Sequence, residues 1–176
     1  MNADQIFKES IAHKEKFWAE QADKIDWFKK PVKILTDDGE NYPTWFADGQ
    51  LNTCFLAVDK HVKDGFGDQI AIIYDSPVTN RIIKYSYSQV LEHVSKLAGG
   101  LKKLGLEKGD TAIIYMPMIP ESVFAMLACA RLGVTHSVVF GGFAPQELAI
   151  RIDDCNPKTI ITASSGMEVS RRIPYL

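Results

Sequence analysis

In the first third of the chain, the pattern of apolar and polar positions changes from one stretch to the next. Apolar and aromatic residues such as Phe7 and Ile11 recur at helical spacing over residues 6–22, which predicts an amphipathic helix. The next stretches, IDWFKKPVKIL, NYPTWF and ADGQLN, mix aromatics with Pro, Asp and Asn and show no clear period. We therefore expect residues 1–65 to form a helical and extended arm whose aromatic side chains need a larger body to bury them.

A regular pattern begins after the Gly-Phe-Gly break at residues 65–67. Residues 69–74 and 81–85 have the composition of two strands, and the turn-prone SPVTN between them predicts a β-hairpin. Ser86 stands where a capping residue would begin a helix, and an apolar stripe continues from there to about Leu104. A glycine follows directly, which predicts the end of the helix.

The rest of the chain alternates short apolar runs with helical patterns. Strands are predicted at residues 112–115, 134–139 and 159–162, and helices with a proline near their start lie between them. Such repeats indicate right-handed parallel crossovers, and continuous apolar runs are typical of parallel strands covered on both faces. The predicted fold class is therefore α/β, with residues 66–176 forming the first portion of a domain built on a mostly parallel sheet.

Composition and charge narrow the classes of function. The 176 residues carry a formal net charge of −2, which argues against the broad basic surface of a nucleic-acid-binding protein. The sequence predicts no membrane-spanning helix, and its start, MNADQIFKES, lacks the features of a secretory signal. We expect a cytoplasmic protein. Cys54, Cys129 and Cys155 form no C-x-x-C pair, and we expect buried thiols in a reducing compartment.

The catalytic inventory of the sequence is small. It contains no G-x-x-x-x-G-K-[ST] phosphate loop, no G-x-S-x-G elbow, no H-E-x-x-H zinc motif and no G-x-G-x-x-G dinucleotide fingerprint. His13, His61 and His93 lie among charges on predicted helices, where a solvated position is expected. His136 interrupts an apolar strand, which favours a hydrogen-bonded histidine in the core. The sequence assigns no catalytic residue and no metal ligand.

Two segments at the carboxyl ends of predicted strands carry the candidates for a ligand site. Phe140, Gly141 and Gly142 follow a buried strand, and glycines there allow a ligand to approach backbone amides closely. The next strand leads into SSGMEVSRR, in which Arg171 and Arg172 suit bidentate contacts with phosphate. Open parallel sheets bind ligands at this edge, so the two segments together predict a phosphate-containing ligand. A tight turn without a ligand and a solvated basic loop remain the alternatives.

Five segments recur here in the order and spacing of a known family: WFADGQLN, YMPMIPE, MLACARLG, HSVVFGGF and RIDDCNPKTIITAS. They closely resemble the opening of the acetyl- and propionyl-CoA synthetase family of adenylate-forming ligases, along essentially the whole chain. The resemblance implies an adenylate-forming domain that joins a short-chain carboxylate to CoA with ATP and Mg²⁺, releasing AMP and pyrophosphate. It also implies the residues of the CoA site, which are Phe140, Gly141, Gly142, Glu168, Val169, Ser170 and Arg171.

The propionate-type branch of this family is favoured. The run GDQIAIIYDSPVTN and the ending SSGMEVSRRIPYL look more like propionyl-CoA synthetases than like acetyl-CoA synthetases. The latter usually carry an arginine at the position of Glu168, which puts one CoA contact in question. Arg171 matches the arginine that the family places near the CoA phosphates.

The resemblance also implies that much of the family's machinery lies outside these residues. The ATP phosphate loop, the acyl pocket, the adenine-binding residues and the lid with its catalytic lysine have no counterpart in the sequence, which stops at RRIPYL. We therefore expect an N-terminal portion whose partner is a C-terminal remainder, with no synthetase activity and no tightly bound cofactor of its own. The alternative is a non-catalytic CoA-binding or interaction module. A processed eukaryotic version would belong in the mitochondrial matrix.

Overall fold

The computed structural model describes residues 2–37, 39, 42–141, 145–168 and 171–175. The chain divides into two compact units, residues 1–52 and residues 53–176. The domain division at residue 65 that the sequence suggests stays a prediction.

The first unit begins with two short helices where one was predicted over residues 6–22. Helix α1 spans Ala3–Ala12 and helix α2 spans Lys14–Ala22. Between them His13 has φ −126° and ψ 48°, which lies outside helical geometry and interrupts the helix. The apolar spacing therefore identified the helical region but not its break.

The aromatic side chains of the first unit pack partly on one another. Two-residue strands, β1 (Leu35–Thr36) and β2 (Thr44–Trp45), form a short antiparallel pair. The Trp27 indole N–H donates to a backbone carbonyl at 2.8 Å, and its ring centroid lies 5.6 Å from that of Phe46. Both rings are half-buried, whereas Phe28 is 62% exposed. The first unit thus covers the Trp27–Phe46 pair in part and Phe28 little, and the predicted need for a larger body stays a prediction.

The second unit opens with a helical segment over residues 53–66 that contains two π-helical turns, Phe55–Asp59 and Val62–Phe66. Strands β3 (Ile70–Ser76) and β4 (Arg81–Ser86) follow and pair antiparallel. The predicted hairpin is therefore confirmed.

Helix α3 (Tyr87–Lys103) starts on the residue that follows β4, because the last residue of the strand caps it. The Ser86 Oγ accepts the Gln89 backbone N–H at 3.3 Å, and the Gln89 Oε1 accepts the Ser86 N–H at 2.9 Å. This reciprocal capping box gives partners to two amides at the start of the helix. Gly105 follows the helix with φ 88°, so both the predicted cap and the predicted stop are confirmed.

Three parallel strands in the order β6–β5–β7 form the sheet of this unit. The elements alternate as the sequence predicts, which confirms the α/β class: β5 (Thr111–Met116), helix α4 (Pro120–Leu132), β6 (Thr135–Phe140), helix α5 (Pro145–Cys155) and β7 (Thr159–Thr162).

The central strand β5 is buried on both faces. Ala112 belongs to a cluster with residues of α3 and α4, whereas Ile113 and Tyr115 pack with Val139 against residues of α5. Successive side chains of a strand point to opposite faces, so helices cover the two sides of the sheet. The edge strands differ from the prediction of complete cover, because Val138 on β6 and Ile160 on β7 remain 53% and 41% exposed.

The segment after β7 is a second hairpin and not the predicted loop. Strands β8 (Ser165–Glu168) and β9 (Arg171–Pro174) pair antiparallel, with Met167 opposite Arg172. Backbone pairing along these two strands fixes the direction of each of their side chains, which a solvated loop would not.

Asp110 ties the amino ends of the three parallel strands together. Its carboxylate accepts hydrogen bonds from the Lys158 ammonium at 2.8 Å and from the Glu107 backbone N–H at 2.6 Å. These two contacts, the lysine first, hold the pKa of Asp110 below its ordinary value of 3.8. The Asp110 carbonyl oxygen also accepts the Thr135 N–H at 2.9 Å, just before β6.

We expect Ile113→Ala to destabilise the chain by about 2–5 kcal/mol, because it removes a fully buried side chain from the sheet core. Urea unfolding followed by circular dichroism measures the change. The matched control is Ile73→Ala on β3, where the side chain is 63% exposed and the cost should stay within about 0.5 kcal/mol. Equal losses for the two variants would contradict the assignment of the core.

We expect Asp110→Asn to lower the melting temperature at neutral pH and to make little difference in strong acid. A carboxylate with a depressed pKa contributes stability above its ordinary pKa, and the contribution disappears as pH falls through the lowered value. Melting curves recorded between about pH 7 and pH 2 give the comparison. Asp68→Asn removes an exposed carboxylate elsewhere and should leave the curve unchanged. A pH-independent difference would contradict the role of the ion pair.

Candidate functional site

A cavity of about 420 Å³ opens at the carboxyl edge of the parallel sheet. Its lining comes from the segments that follow each of the three strands and from the turn between β3 and β4. The lining residues are Tyr74, Asp75, Ser76, Pro77, Val78, Thr79, Pro117, Met118, Ile119, Gly141, Ser165, Gly166, Met167 and Tyr175. The location agrees with the general rule that open parallel sheets bind ligands at this edge.

Helix α4 begins at the cavity. Ile119 lines the cavity and occupies the capping position of the helix, where it has no side-chain oxygen to bind the first amides. Pro120 follows as the first helical residue, which the sequence predicts. The positive end of the α4 dipole therefore lies next to the cavity wall.

Tyr175 forms part of the cavity wall and reaches into the core beneath α5. Its backbone N–H donates to the Ser164 carbonyl oxygen at 3.1 Å, and its ring centroid lies 5.1 Å from that of Tyr115. A Cβ added to Gly141 would lie 2.7 Å from atoms of the Tyr175 ring, and a Cβ on Gly166 would meet the same ring. Two glycines thus allow the ring to lie directly against the backbone.

Cationic and anionic groups stand at the rim of the cavity. The Arg172 Nε donates to the Ser165 Oγ at 2.8 Å, which brings its guanidinium to a residue of the lining. Arg171 is exposed and is the neighbouring residue on β9, so its side chain leaves the opposite face of the hairpin. Asp75 contributes a carboxylate near the end of β3.

The structure brings some of the predicted CoA residues together and leaves others undescribed. Gly141 lines the cavity, and its N–H donates to the Met116 carbonyl oxygen at 3.1 Å. Phe140 ends β6, and Glu168 ends β8 opposite Arg171. The remaining predicted residues, Gly142, Val169 and Ser170, lie outside the described residues.

Sequence reasoning missed several parts of this site. It gave no role to Tyr175, to the turn at residues 74–79 or to residues 117–119. Residues 117–119 follow β5 and could have been found, since the rule that singled out the ends of β6 and β7 applies equally to the central strand. Tyr175 and the hairpin turn carry no comparable signal, because they approach the sheet edge from distant parts of the chain.

The buried titratable groups favour their neutral forms. Burial lowers the pKa of His136, which is half-buried on the edge strand β6 and does not reach the core position that was predicted. Burial also raises the pKa of the Cys54 and Cys129 thiols, and for Cys54 it outweighs the opposing Arg131 guanidinium. Both thiols are buried and form no disulfide, as predicted, whereas Cys155 is half-buried. A protonated buried thiol is a poor nucleophile.

Two of the helical histidines stack on aromatic rings. The predicted solvated position is confirmed for His93, which is exposed, whereas His61 is half-buried. His61 lies over Tyr87 with ring centroids 4.5 Å apart, and His93 lies parallel to Phe124 at 4.8 Å. Among the described residues no group of three His, Cys, Asp or Glu side chains could hold a metal ion. Within the same part of the chain no helix is long and apolar enough to cross a membrane.

Comparison with known families agrees with this fold. Residues 59–174 match the family model described as AMP-binding enzyme, and the chain belongs to this family. Residues 3–57 match a second model, described as the N-terminus of acetyl-coenzyme A synthetase. The family resemblance found in the sequence is therefore confirmed.

Three curated relatives cover nearly the whole chain. Acyl-CoA synthetase short-chain family member 3, mitochondrial, of Homo sapiens is 52% identical over 170 residues, which are 97% of this chain and 25% of the relative. An uncharacterized protein of Pseudomonas aeruginosa is 54% identical over 166 residues, 94% of this chain and 26% of its own length. Acetyl-coenzyme A synthetase of Pseudoalteromonas atlantica is 43% identical over 175 residues, 97% of this chain and 27% of the relative. The chain thus spans about a quarter of the length of these proteins.

Proposed function

We propose that this chain supplies the CoA-binding edge of an AMP-forming short-chain acyl-CoA synthetase that prefers propionate. In the first half-reaction a carboxylate oxygen attacks the α-phosphorus of ATP, and pyrophosphate leaves. In the second the CoA thiol attacks the carbonyl carbon of the acyl-adenylate, and AMP leaves. Bound to the ATP phosphates, Mg²⁺ would neutralise part of their charge, and no residue of this chain is assigned to hold it.

The observation that carries this proposal is the cavity at the carboxyl edge of the sheet, in a chain that matches the AMP-binding enzyme model. A cavity of about 420 Å³ has the size of small-molecule and cofactor sites. Arginine at the rim suits a phosphate-bearing substrate, since the guanidinium fork binds phosphate oxygens in pairs. The human relative is named as an acyl-CoA synthetase, and one bacterial relative is named as an acetyl-coenzyme A synthetase.

We assign the CoA contacts to the residues that follow β6 and to the β8–β9 hairpin. These residues are Phe140, Gly141, Gly142, Glu168, Val169, Ser170 and Arg171. The position of Gly141 in the cavity lining supports the first group. The family resemblance supports the second group. The structure adds that Arg172 brings positive charge of this hairpin to the rim at Ser165, whereas Arg171 lies on the opposite face.

The preference for propionate rests on the two segments that resemble propionyl-CoA synthetases, GDQIAIIYDSPVTN and SSGMEVSRRIPYL. The first contains β3 and the turn that follows it, the second contains the β8–β9 hairpin, and residues of each line the cavity. The turn between β3 and β4 lies in one such segment, and Ser165, Gly166 and Met167 lie in the other. Comparison of kcat/KM for propionate and acetate tests the preference in the intact protein that carries this chain. The human relative is named as mitochondrial, whereas a cytoplasmic location of this chain stays a prediction.

We expect Arg171→Ala, made in the intact protein, to raise the KM for CoA about ten- to a hundredfold, since a charge-assisted phosphate contact contributes roughly 1.5–3 kcal/mol. ATP–pyrophosphate exchange needs no CoA and should stay near the parental rate. Lys103→Ala removes one positive charge at the end of α3 and serves as the control. Equal losses in exchange and in CoA use would contradict a specific role in CoA binding.

We expect the 176 residues alone to release no AMP from ATP in the presence of propionate and CoA. The sequence contains no phosphate loop and no catalytic lysine of the family type, so the charge that develops at phosphorus has no cationic partner here. A coupled AMP assay on the purified chain makes the measurement. CoA binding without turnover in the intact protein would favour the alternative of a non-catalytic CoA-binding module.

A further inference from the structure

Tyr175 is held at the sheet edge by three separate parts of the second unit. Its N–H binds the Ser164 carbonyl oxygen, and its ring packs with Tyr115 of the central strand. The hydroxyl-bearing end of the ring lies against Gly141 and Gly166. The ring is half-buried and belongs to the cluster beneath α5 as well as to the cavity wall.

The two glycines are needed for this position of the ring. At Gly141 a Cβ would stand 2.7 Å from the Cε2, Cζ and Oη atoms of Tyr175, closer than side-chain carbons approach one another. Gly141 does not have the positive φ that restricts a position to glycine, so an alanine meets no backbone strain there. A methyl group added at Gly141 therefore displaces the ring, besides changing the CoA contact proposed for this residue.

The cavity that Tyr175 lines is mainly uncharged. Pro117, Met118 and Ile119 contribute apolar side chains to the same lining, and Asp75 offers a carboxylate that accepts N–H groups and repels phosphate. The positive charge of Arg172 stands outside, at Ser165 on the rim. This distribution suits a ligand that places a planar, hydrogen-bond-donating ring in the cavity and its phosphates at the β8–β9 hairpin.

We propose that Tyr175 is a binding residue for the adenine ring of a nucleotide substrate, and that Gly141 positions it. The proposal rests on the proposed function, in which both ATP and CoA bring an adenine. Stacking of a base on an aromatic side chain is tolerant of small shifts and depends on the flat face of the ring. The phenolic hydroxyl is therefore dispensable, and the ring is not.

The test compares Tyr175→Phe with Tyr175→Leu in the intact protein. We expect the phenylalanine variant to behave like the parent and the leucine variant to raise the KM for one nucleotide about five- to a hundredfold at nearly constant kcat. ATP–pyrophosphate exchange reports the KM for ATP, and acyl-CoA formation at saturating ATP reports the KM for CoA. The nucleotide whose KM rises identifies the source of the adenine.

A double-mutant cycle separates this role from a structural one. Gly141→Ala should raise the same KM as Tyr175→Leu, because the added methyl group displaces the ring. In the Tyr175→Leu background the alanine should change that KM less than about twofold, since residues in contact are not additive. If Tyr175→Leu fails to fold, Tyr175→Met takes its place in the same cycle, because it also removes the aromatic ring and keeps an apolar, flexible side chain.

The outcomes distinguish this proposal from the proposed function. If the parent protein forms no acyl-CoA, both the proposed function and the role of Tyr175 are overturned. A parent that forms acyl-CoA, with both KM values unchanged in Tyr175→Leu and Gly141→Ala, overturns the role of Tyr175 alone. Falls in kcat and melting temperature without a change in either KM would assign Tyr175 to the core.

Discussion

The burial of residues 112–115 in the central strand β5 is the constraint on which the second unit depends. A strand with apolar side chains on both faces needs cover on both, and the chain provides it with α3 and α4 on one side and α5 on the other. Parallel neighbours then require crossover connections, so each strand ends at the same edge of the sheet. The segments that leave this edge converge, and their convergence creates the cavity.

The elements that repeat regularly could be predicted from the sequence, and those fixed by distant contacts could not. The cap at Ser86 and the stop at Gly105 are local chemistry, and both were found where predicted. The break at His13 has no local signal, since a histidine is compatible with a helix. The β8–β9 hairpin was missed because its strands have four residues each and no clear alternation.

Part of the candidate site could likewise be predicted from the sequence, and part could not. A general rule about parallel sheets placed ligands after β6 and β7, and Gly141 does line the cavity. The rule specifies an edge but not the walls, which come from the turn of the β3–β4 hairpin and from Tyr175. The sequence hint for Tyr175 is indirect: two glycines, Gly141 and Gly166, whose missing side chains make room for one ring.

The direct junction of β4 with α3 restricts how the chain can vary in length. Strand β4 ends at Ser86 and the helix begins at the next residue, so no loop is present to absorb an insertion. One added residue would turn the apolar stripe of α3 by about 100° about the helix axis, away from the sheet. The β3–β4 hairpin, whose turn borders the cavity, is therefore joined directly to the core helix α3 with no flexible loop between them. Related chains can differ in length at the hairpin turn, where added residues would reshape the cavity rim, but not at this junction.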